Sequence, residues 1–154
     1  MPLTEADKQA MREQRSTVQH VVLAGRALDD DDISTLIEFL LTPDSVTKSL
    51  NLSYNNISDI GVARLTTALS DFSSVVKIDL SHNKITKLGV IDLASTKLTE
   101  LILDNNVVGY EGVCALSTNK YIKKLSLRGC GITDAGATLL SQGEFASLLL
   151  SKNQ

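Results

Sequence analysis

One pattern recurs along this chain often enough to dictate its architecture. Placed in register, VQHVVLAGRAL (18–28), TKSLNLSYNNI (47–57), VVKIDLSHNKI (75–85), LTELILDNNVV (98–108) and IKKLSLRGCGI (122–132) all follow L-x-x-L-x-L-x-x-N-x-L, and FASLLLSKN (145–153) begins a sixth copy. The sixth position is leucine each time: Leu23, Leu52, Leu80, Leu103, Leu127 and Leu150. Successive leucines stand 29, 28, 23, 24 and 23 residues apart. A fixed period of this length marks a stacked array of like units.

The second half of each unit repeats as well. Gly61, Gly89, Gly112 and Gly136 fall nine residues after that leucine, and Leu36, Leu65, Leu93, Leu116 and Leu140 fall thirteen after it. Alternating L-x-L places the leucines on one side of a short strand and the intervening residues on the other. Segments such as ISDIGVARLTTAL (57–69) and ITDAGATLL (132–140) then carry apolar residues at helical spacing. One strand–turn–helix unit cannot bury its own leucines, whereas stacked copies can. The expected fold is therefore an α/β solenoid, with a parallel sheet on the concave side and helices on the convex side. The shorter copies leave room for about two helical turns.

Asn55, Asn83, Asn106 and Asn153 stand where the chain turns off each strand, and their amides can satisfy backbone groups the sheet no longer pairs. Cys130 occupies the same place in the fifth copy and is expected to be a small buried residue. Cys114 falls in an outer helix. Two cysteines make no disulfide framework, which points to a reducing compartment and a cytoplasmic location.

The run Asp29–Asp30–Asp31–Asp32 raises the question of a cation loop. Counted from Asp29 or Asp30, the sixth position is Ser34 or Thr35 rather than glycine, and the twelfth is Leu40 or Leu41 rather than glutamate. In register the run aligns with Ser58–Gly61 and Thr133–Gly136, the turn that feeds each helix. Acidic side chains there cap the free N–H groups and suit the positive helix end. It is read as a helix start, with a partner-facing acidic patch and adventitious cation binding as the other readings.

The ends differ. Residues 1–17 are expected to form an N-terminal capping helix, begun by Thr4 and presenting Leu3, Ala6, Ala10 and Met11 to the first repeat. Residues 18–154 form the repeat domain, five copies plus a partial sixth. SLLLSKNQ (147–154) would finish as an edge strand, which predicts weak self-association through it. The N-terminus is charged and helical in pattern, unlike a signal peptide, and secretion by a route that leaves it intact is compatible with this. No apolar run reaches the roughly 18 residues of a membrane span.

Function is expected on the concave face, at positions three, five, seven and eight of each copy. The candidate partner-binding residues are Tyr54, Asp79, His82, Ile102, Asp104 and Arg128, because interface anchors favour aromatics and arginine over small polar groups. Lys77–Glu100–Lys124 and Asp104–Arg128 are placed to neutralise one another across adjacent rungs. A net charge of −3 leaves no footprint for nucleic acid. Ser81, His82 and Asp104 invite a catalytic reading, but two are consecutive on an open sheet with no sign of an oxyanion hole or a pocket. No metal set and no phosphate loop is present in the sequence, so no catalytic residue, cofactor or metal is assigned.

The motif L-x-L-x-x-N-x-I-[ST]-D-x-G-x-x-x-L, seen as LNLSYNNISDIGVARL (50–65) and, one residue shorter, as LSLRGCGITDAGATL (125–139), resembles the leucine-rich repeat proteins of the ribonuclease-inhibitor subclass, also found in the C-terminal halves of NOD-like receptors. The resemblance covers residues 18–153 and implies a horseshoe that binds a partner protein. Copies 3–5 are shortened and A/B alternation is absent, unlike the inhibitor. Short, irregular repeats are also similar to the leucine-rich effectors that intracellular bacteria inject into host cells, which would place the chain in host cytoplasm. A protein-interaction module is the leading reading. A structural or self-associating fragment of a larger receptor or inhibitor is the alternative, and an enzyme is disfavoured.

Overall fold

A computed structural model describes residues 3–14, 16–40, 42, 44–71 and 74–153. Met1, Pro2, Arg15 and Gln154 of the expected terminal segments, and Leu41 of the cation-loop count, lie outside the described residues. The leucine pattern becomes six three-residue strands: β1 (His20–Val22), β2 (Ser49–Asn51), β3 (Lys77–Asp79), β4 (Glu100–Ile102), β5 (Lys124–Ser126) and β6 (Ser147–Leu149). They form one parallel sheet in chain order, each residue facing its counterpart one repeat away, as in Leu50↔Ile78 and Ile78↔Leu101. An α-helix precedes β1 and one follows each of β1 to β5: α1 (Glu5–Gln14), α2 (Asp30–Leu40), α3 (Asp59–Asp71), α4 (Lys87–Ala94), α5 (Gly109–Ser117) and α6 (Asp134–Ser141). The last three helices have 8, 9 and 8 residues, the two turns the short period allows.

Leu52, Leu80, Leu103 and Leu127 are fully buried between sheet and helices, with Leu65, Leu93, Leu116 and Leu140 meeting them from the helical side. Burying each such side chain is worth about 1.5–3 kcal/mol. Val21, Leu148 and Leu150, in the outermost copies, are only half-buried. The core therefore thins toward both ends of the stack.

Asn55 shows how the turns close. Its Nδ2 donates to the carbonyls of Leu52 (2.9 Å), Ser53 (3.2 Å) and, one repeat back, Leu23 (2.9 Å). Its Oδ1 accepts from the main-chain N–H groups of Arg26 and Leu28, both at 3.0 Å. Asn83, Asn106 and Asn153 repeat the arrangement. The amide spans two copies and supplies both donor and acceptor, which few side chains of this size can do.

The repeated glycines have a packing cause. A Cβ on Gly89 would lie 2.6 Å from Asp59 Oδ1, and one on Gly112 would lie 2.9 Å from Val90 Cγ1. Helices α3, α4 and α5 thus press their first turns against the preceding copy.

At the N-terminal end α1 packs on α2 through Leu3 and Met11, while Ala6 and Ala10 are exposed. The expected four-residue stripe is narrower than its sequence suggests. Polar contacts set the helix in place instead: Asp7 accepts from Arg26 Nη2 (2.6 Å), and the Leu3 N–H donates to Asp32 (3.2 Å).

Candidate functional site

Between the inward leucines, positions three, five, seven and eight of each copy form the concave surface. Position eight has a backbone property that the pattern did not disclose. Gly25, Tyr54, His82, Asn105, Gly129 and Lys152 all have positive φ, from 54° to 66°. The chain turns off every strand through the left-handed region, which glycine and asparagine tolerate and which costs other residues about 1 kcal/mol or more. Tyr54 and His82 carry that cost side by side. Their rings stack with centroids 4.1 Å apart and planes 12° from parallel. The Asn105 side-chain amide nitrogen stands 3.0 Å from His82 Nε2, within hydrogen-bond distance. On the next rung Gly129, with φ of 63°, brings no side chain, and a Cβ there would stand 2.5 Å from Asn105 Oδ1.

The other candidates gather in a second place. Asp79, Ile102, Asp104 and Arg128 line a groove of about 290 Å³ with Glu100, Lys124, Ser126 and Leu149. This corrects the expectation of a sheet without a pocket: curvature of the parallel strands leaves a trough over β4–β6. Ile102 is half-buried and Leu149 is 41% exposed, two apolar side chains on either side of buried Ser126 on its floor.

The charges pair as expected in one case and differently in the other. Glu100 takes Lys77 Nζ at 2.6 Å and Lys124 Nζ at 3.8 Å, bridging three rungs. Asp104 does not take the Arg128 guanidinium. Its Oδ1 accepts the Ser126 hydroxyl (2.6 Å) and the Arg128 main-chain N–H (2.9 Å), because the turn off β5 aims those two donors back across the sheet. Among the described residues no acidic oxygen stands within 4.0 Å of the guanidinium, which is exposed. Asp79 plays the equivalent part in its own copy, accepting from the Ser81 N–H (2.9 Å) and hydroxyl (2.6 Å).

These bonds also dissolve the catalytic triple. Ser81 is buried and donates to Asp79, the His82 ring is held by Tyr54 and Asn105, and the Asp104 carboxylate is held by Ser126 and Arg128. No side-chain bond joins the three. Burial pushes the Cys130 thiol above its usual range, and its Sγ donates to the Leu103 carbonyl (3.2 Å). Among the described residues no three His, Cys, Asp or Glu side chains are grouped to hold a metal, and no helix is long and apolar enough to cross a membrane.

The structure thus splits the six candidates into an aromatic pair and a groove set, and adds Asn105, Ser126 and Leu149. Leu149 had a signal in the sequence. The outward fifth position reads Val22, Asn51, Asp79, Ile102, Ser126, Leu149, and its three apolar members face the concave side where a solvated sheet would carry polar residues.

A family profile described as Leucine Rich repeat matches residues 48–65, 73–94, 94–117 and 118–141, more than half of the chain. A mouse protein named "NACHT, LRR and PYD domains-containing protein 14" is 40% identical over 103 residues, covering 60% of this chain. The chain spans about a tenth of that relative's length. Among solved structures, the tropomodulin C-terminal domain of Caenorhabditis elegans superposes with a TM-score of 0.71 at 17% identity, over 91% of this chain and 90% of that one. "Leiomodin-1 Actin-Binding Site 2 (ABS2)" gives 0.69 at 19% identity, over 90% and 89%. At such identities the two structures speak for the fold alone. With its repeats matched from the second copy to the fifth, the chain belongs to the leucine-rich repeat family.

Proposed function

We propose that the concave face is a binding surface for a partner protein, with Tyr54, Asp79, His82, Ile102, Asp104 and Arg128 as its principal contacts. The observation that carries this is the Tyr54–His82 stack. Two ring-bearing side chains are held in left-handed backbone and stacked on each other, with Tyr54 61% exposed. Strain kept at a surface position is a mark of a functional site. A rigid aromatic pair is also the kind of anchor that interfaces use. In this reading residues 1–17 cap the stack and residues 18–154 present the face. Cys114 and Cys130, both free, fit action in the cytoplasm.

Membership of a repeat family that presents extended sheets supports protein binding as the class of function. Actin, named in the leiomodin title, is the first protein to assay, on grounds of fold alone. No observation favours an injected effector acting on a host protein, and the relative matched is from mouse.

The test is capture from eukaryotic lysate with two baits, the intact chain and a Tyr54→Ala, Ile102→Glu, Arg128→Glu variant that gives the same circular dichroism. A protein held by the first and lost by the second supports the concave face. Equal capture by both would move binding to the helices, the Asp29–Asp32 turn or β6. Self-association through β6 is a second reading, favoured by the 41% exposure of Leu149 on that strand. Sedimentation at rising concentration checks it, and a Leu149→Lys chain that still dimerises would exclude that edge.

A further inference from the structure

From the second copy to the sixth, the same main-chain bonds tie each copy to the one before it. The position-three N–H donates backward, as Ser49 does to Gln19 (3.0 Å) and Lys77 to Lys48 (3.2 Å). The carbonyls of positions five and seven accept, as Asn51 does from Leu23 (2.8 Å) and Ser53 from Gly25 (2.9 Å). The first copy presents the same three groups on the same side of β1: the His20 N–H and the carbonyls of Val22 and Ala24. Among the described residues none of the three has a partner, because β1 stands first in the sheet. Such unpaired edge groups are a template for another extended chain.

The space beside this edge is shaped for one. Helix α1 adds to the helical layer by packing on α2, but no strand accompanies it in the sheet layer. Between α1 and β1 lies a gap of about 250 Å³, lined by Ala10, Met11, Gln14, Val18 and Val21 among others. Val21 is half-buried, whereas its counterparts Leu50, Ile78, Leu101 and Leu125, each with a strand on both sides, are fully buried. The strand itself, His20–Val22, carries no proline, lysine or acidic residue of the kind that blunts a sheet edge.

We propose that the open side of β1 takes up an extended segment of a partner protein as an added parallel strand, with aliphatic side chains at alternate positions seated on Val21 and Met11. The occupant is fixed by continuity with the strand-to-strand interface that the sheet already repeats from β1 to β6. In that register the segment offers a carbonyl to the His20 N–H, and N–H groups four and six residues further on to the Val22 and Ala24 carbonyls, the spacing that Gln19, Leu23 and Gly25 keep toward β2. Proline is thereby excluded at those two places. The side chains two and four residues on point into the gap, which selects an L-x-L pattern over a polar one. Main-chain bonds supply affinity in such strand addition, and the seats for alternate side chains supply selectivity. The site is separate from the concave candidates.

The experiment titrates the isotope-labelled intact chain with a synthetic peptide of residues 47–57, TKSLNLSYNNI, whose Lys48, Leu52 and Tyr54 fall in the three bonding places. Amide resonances and amide hydrogen exchange are followed. The expected result is slowed exchange at the His20 amide and shifts at Met11, Val21 and Leu23, with Ser147–Leu149 unmoved. N-methylation of the peptide at Leu52 and Tyr54 removes two hydrogen bonds and should weaken binding about tenfold or more. N-methylation at Ser49 and Asn51, whose N–H groups lie on the peptide's other edge, should leave binding unchanged. No binding, shifts confined to β6 or to Tyr54 and His82, or equal binding of the two methylated peptides overturns the proposal. So does a His20 amide that exchanges slowly in the concentrated chain alone and quickly on dilution, which would give the place to a second copy.

Discussion

Asp30 accepts both the main-chain N–H of Ser58 (2.8 Å) and its hydroxyl (2.6 Å), tying the helix start of one repeat to the helix start of the next. Asp59 does the same for Thr86 and also takes the Gly89 N–H at 3.0 Å. This accounts for the run of four aspartates, which exceeds what one helix cap needs. Asp29 caps the Asp31 and Asp32 N–H groups, Asp32 returns to the N–H groups of Asp29 and Leu3, and Asp31 reaches Arg64 at 3.1 Å. Asp30→Ala is expected to cost about 1.5–3 kcal/mol in urea denaturation, the range for hydrogen bonds to a charged group. Asp31→Ala, with its side chain 93% exposed, should stay within about 1 kcal/mol of the parent. Calcium should leave the melting temperature unchanged; a rise would mean that the run binds cations after all.

How much of this was legible follows from which contacts have a period. Strands, helices, core leucines and asparagine turns recur at the repeat spacing, so the alignment alone places them. The Asp30–Ser58 staple joins two columns that the alignment displays one at a time, and nothing in a column says what its neighbour accepts. The left-handed eighth position was masked by identity. Gly25, Asn105 and Gly129 carry the signal, but Tyr54, His82 and Lys152 share the backbone without resembling them. The Asp104–Arg128 pair was misjudged because opposite charges on adjacent rungs look like an ion pair until the main-chain donor is placed between them.

Asn55 and Cys130 hold equivalent places with unequal means, which gives a paired prediction. Asn55→Ala removes the acceptor for two buried-side N–H groups and the donor for three carbonyls, and should cost about 3 kcal/mol or more, since each unsatisfied buried group costs about 1–3 kcal/mol. The Cys130 thiol donates to Leu103 but brings no amide oxygen to the turn of the fourth copy. Cys130→Asn should therefore stabilise the chain by about 0.5–1.5 kcal/mol, the net worth of a restored hydrogen bond. Thermal denaturation of both variants is the check. A loss at Cys130→Asn would mean that the site is sized for sulfur.

Acid should loosen the N-terminal helix before it unfolds the stack. The Thr4 hydroxyl, Arg26 and the Thr4 N–H hold Asp7 down to about 2 from its ordinary 3.8. A depressed carboxylate contributes stability above its unfolded value and loses it as pH falls through the folded one. The contact is thus intact above about pH 4 and is lost toward pH 2. Because Asp7 lies at the surface, the effect should be confined to α1. Hydrogen exchange of residues 5–14 is expected to speed up in that window while Leu80 and Leu103 stay protected. Asp7→Asn should remove the pH dependence and leave α1 loose throughout.

Tyr54 offers the sharpest separation of folding from function. Its left-handed backbone costs about 1 kcal/mol or more, and its stack on His82 returns about 0.5–1.5 kcal/mol. Asparagine tolerates that backbone, as Asn105 does at the same position of the fourth copy. Tyr54→Asn loses the stack and relieves the strain, so the two terms nearly cancel and the melting temperature should hardly move. Binding of the concave partner should meanwhile drop by about tenfold or more, as for a central aromatic anchor. A chain that instead loses more than about 2 kcal/mol of stability would show that the ring pair braces the turn, and that its exposed face is incidental to recognition.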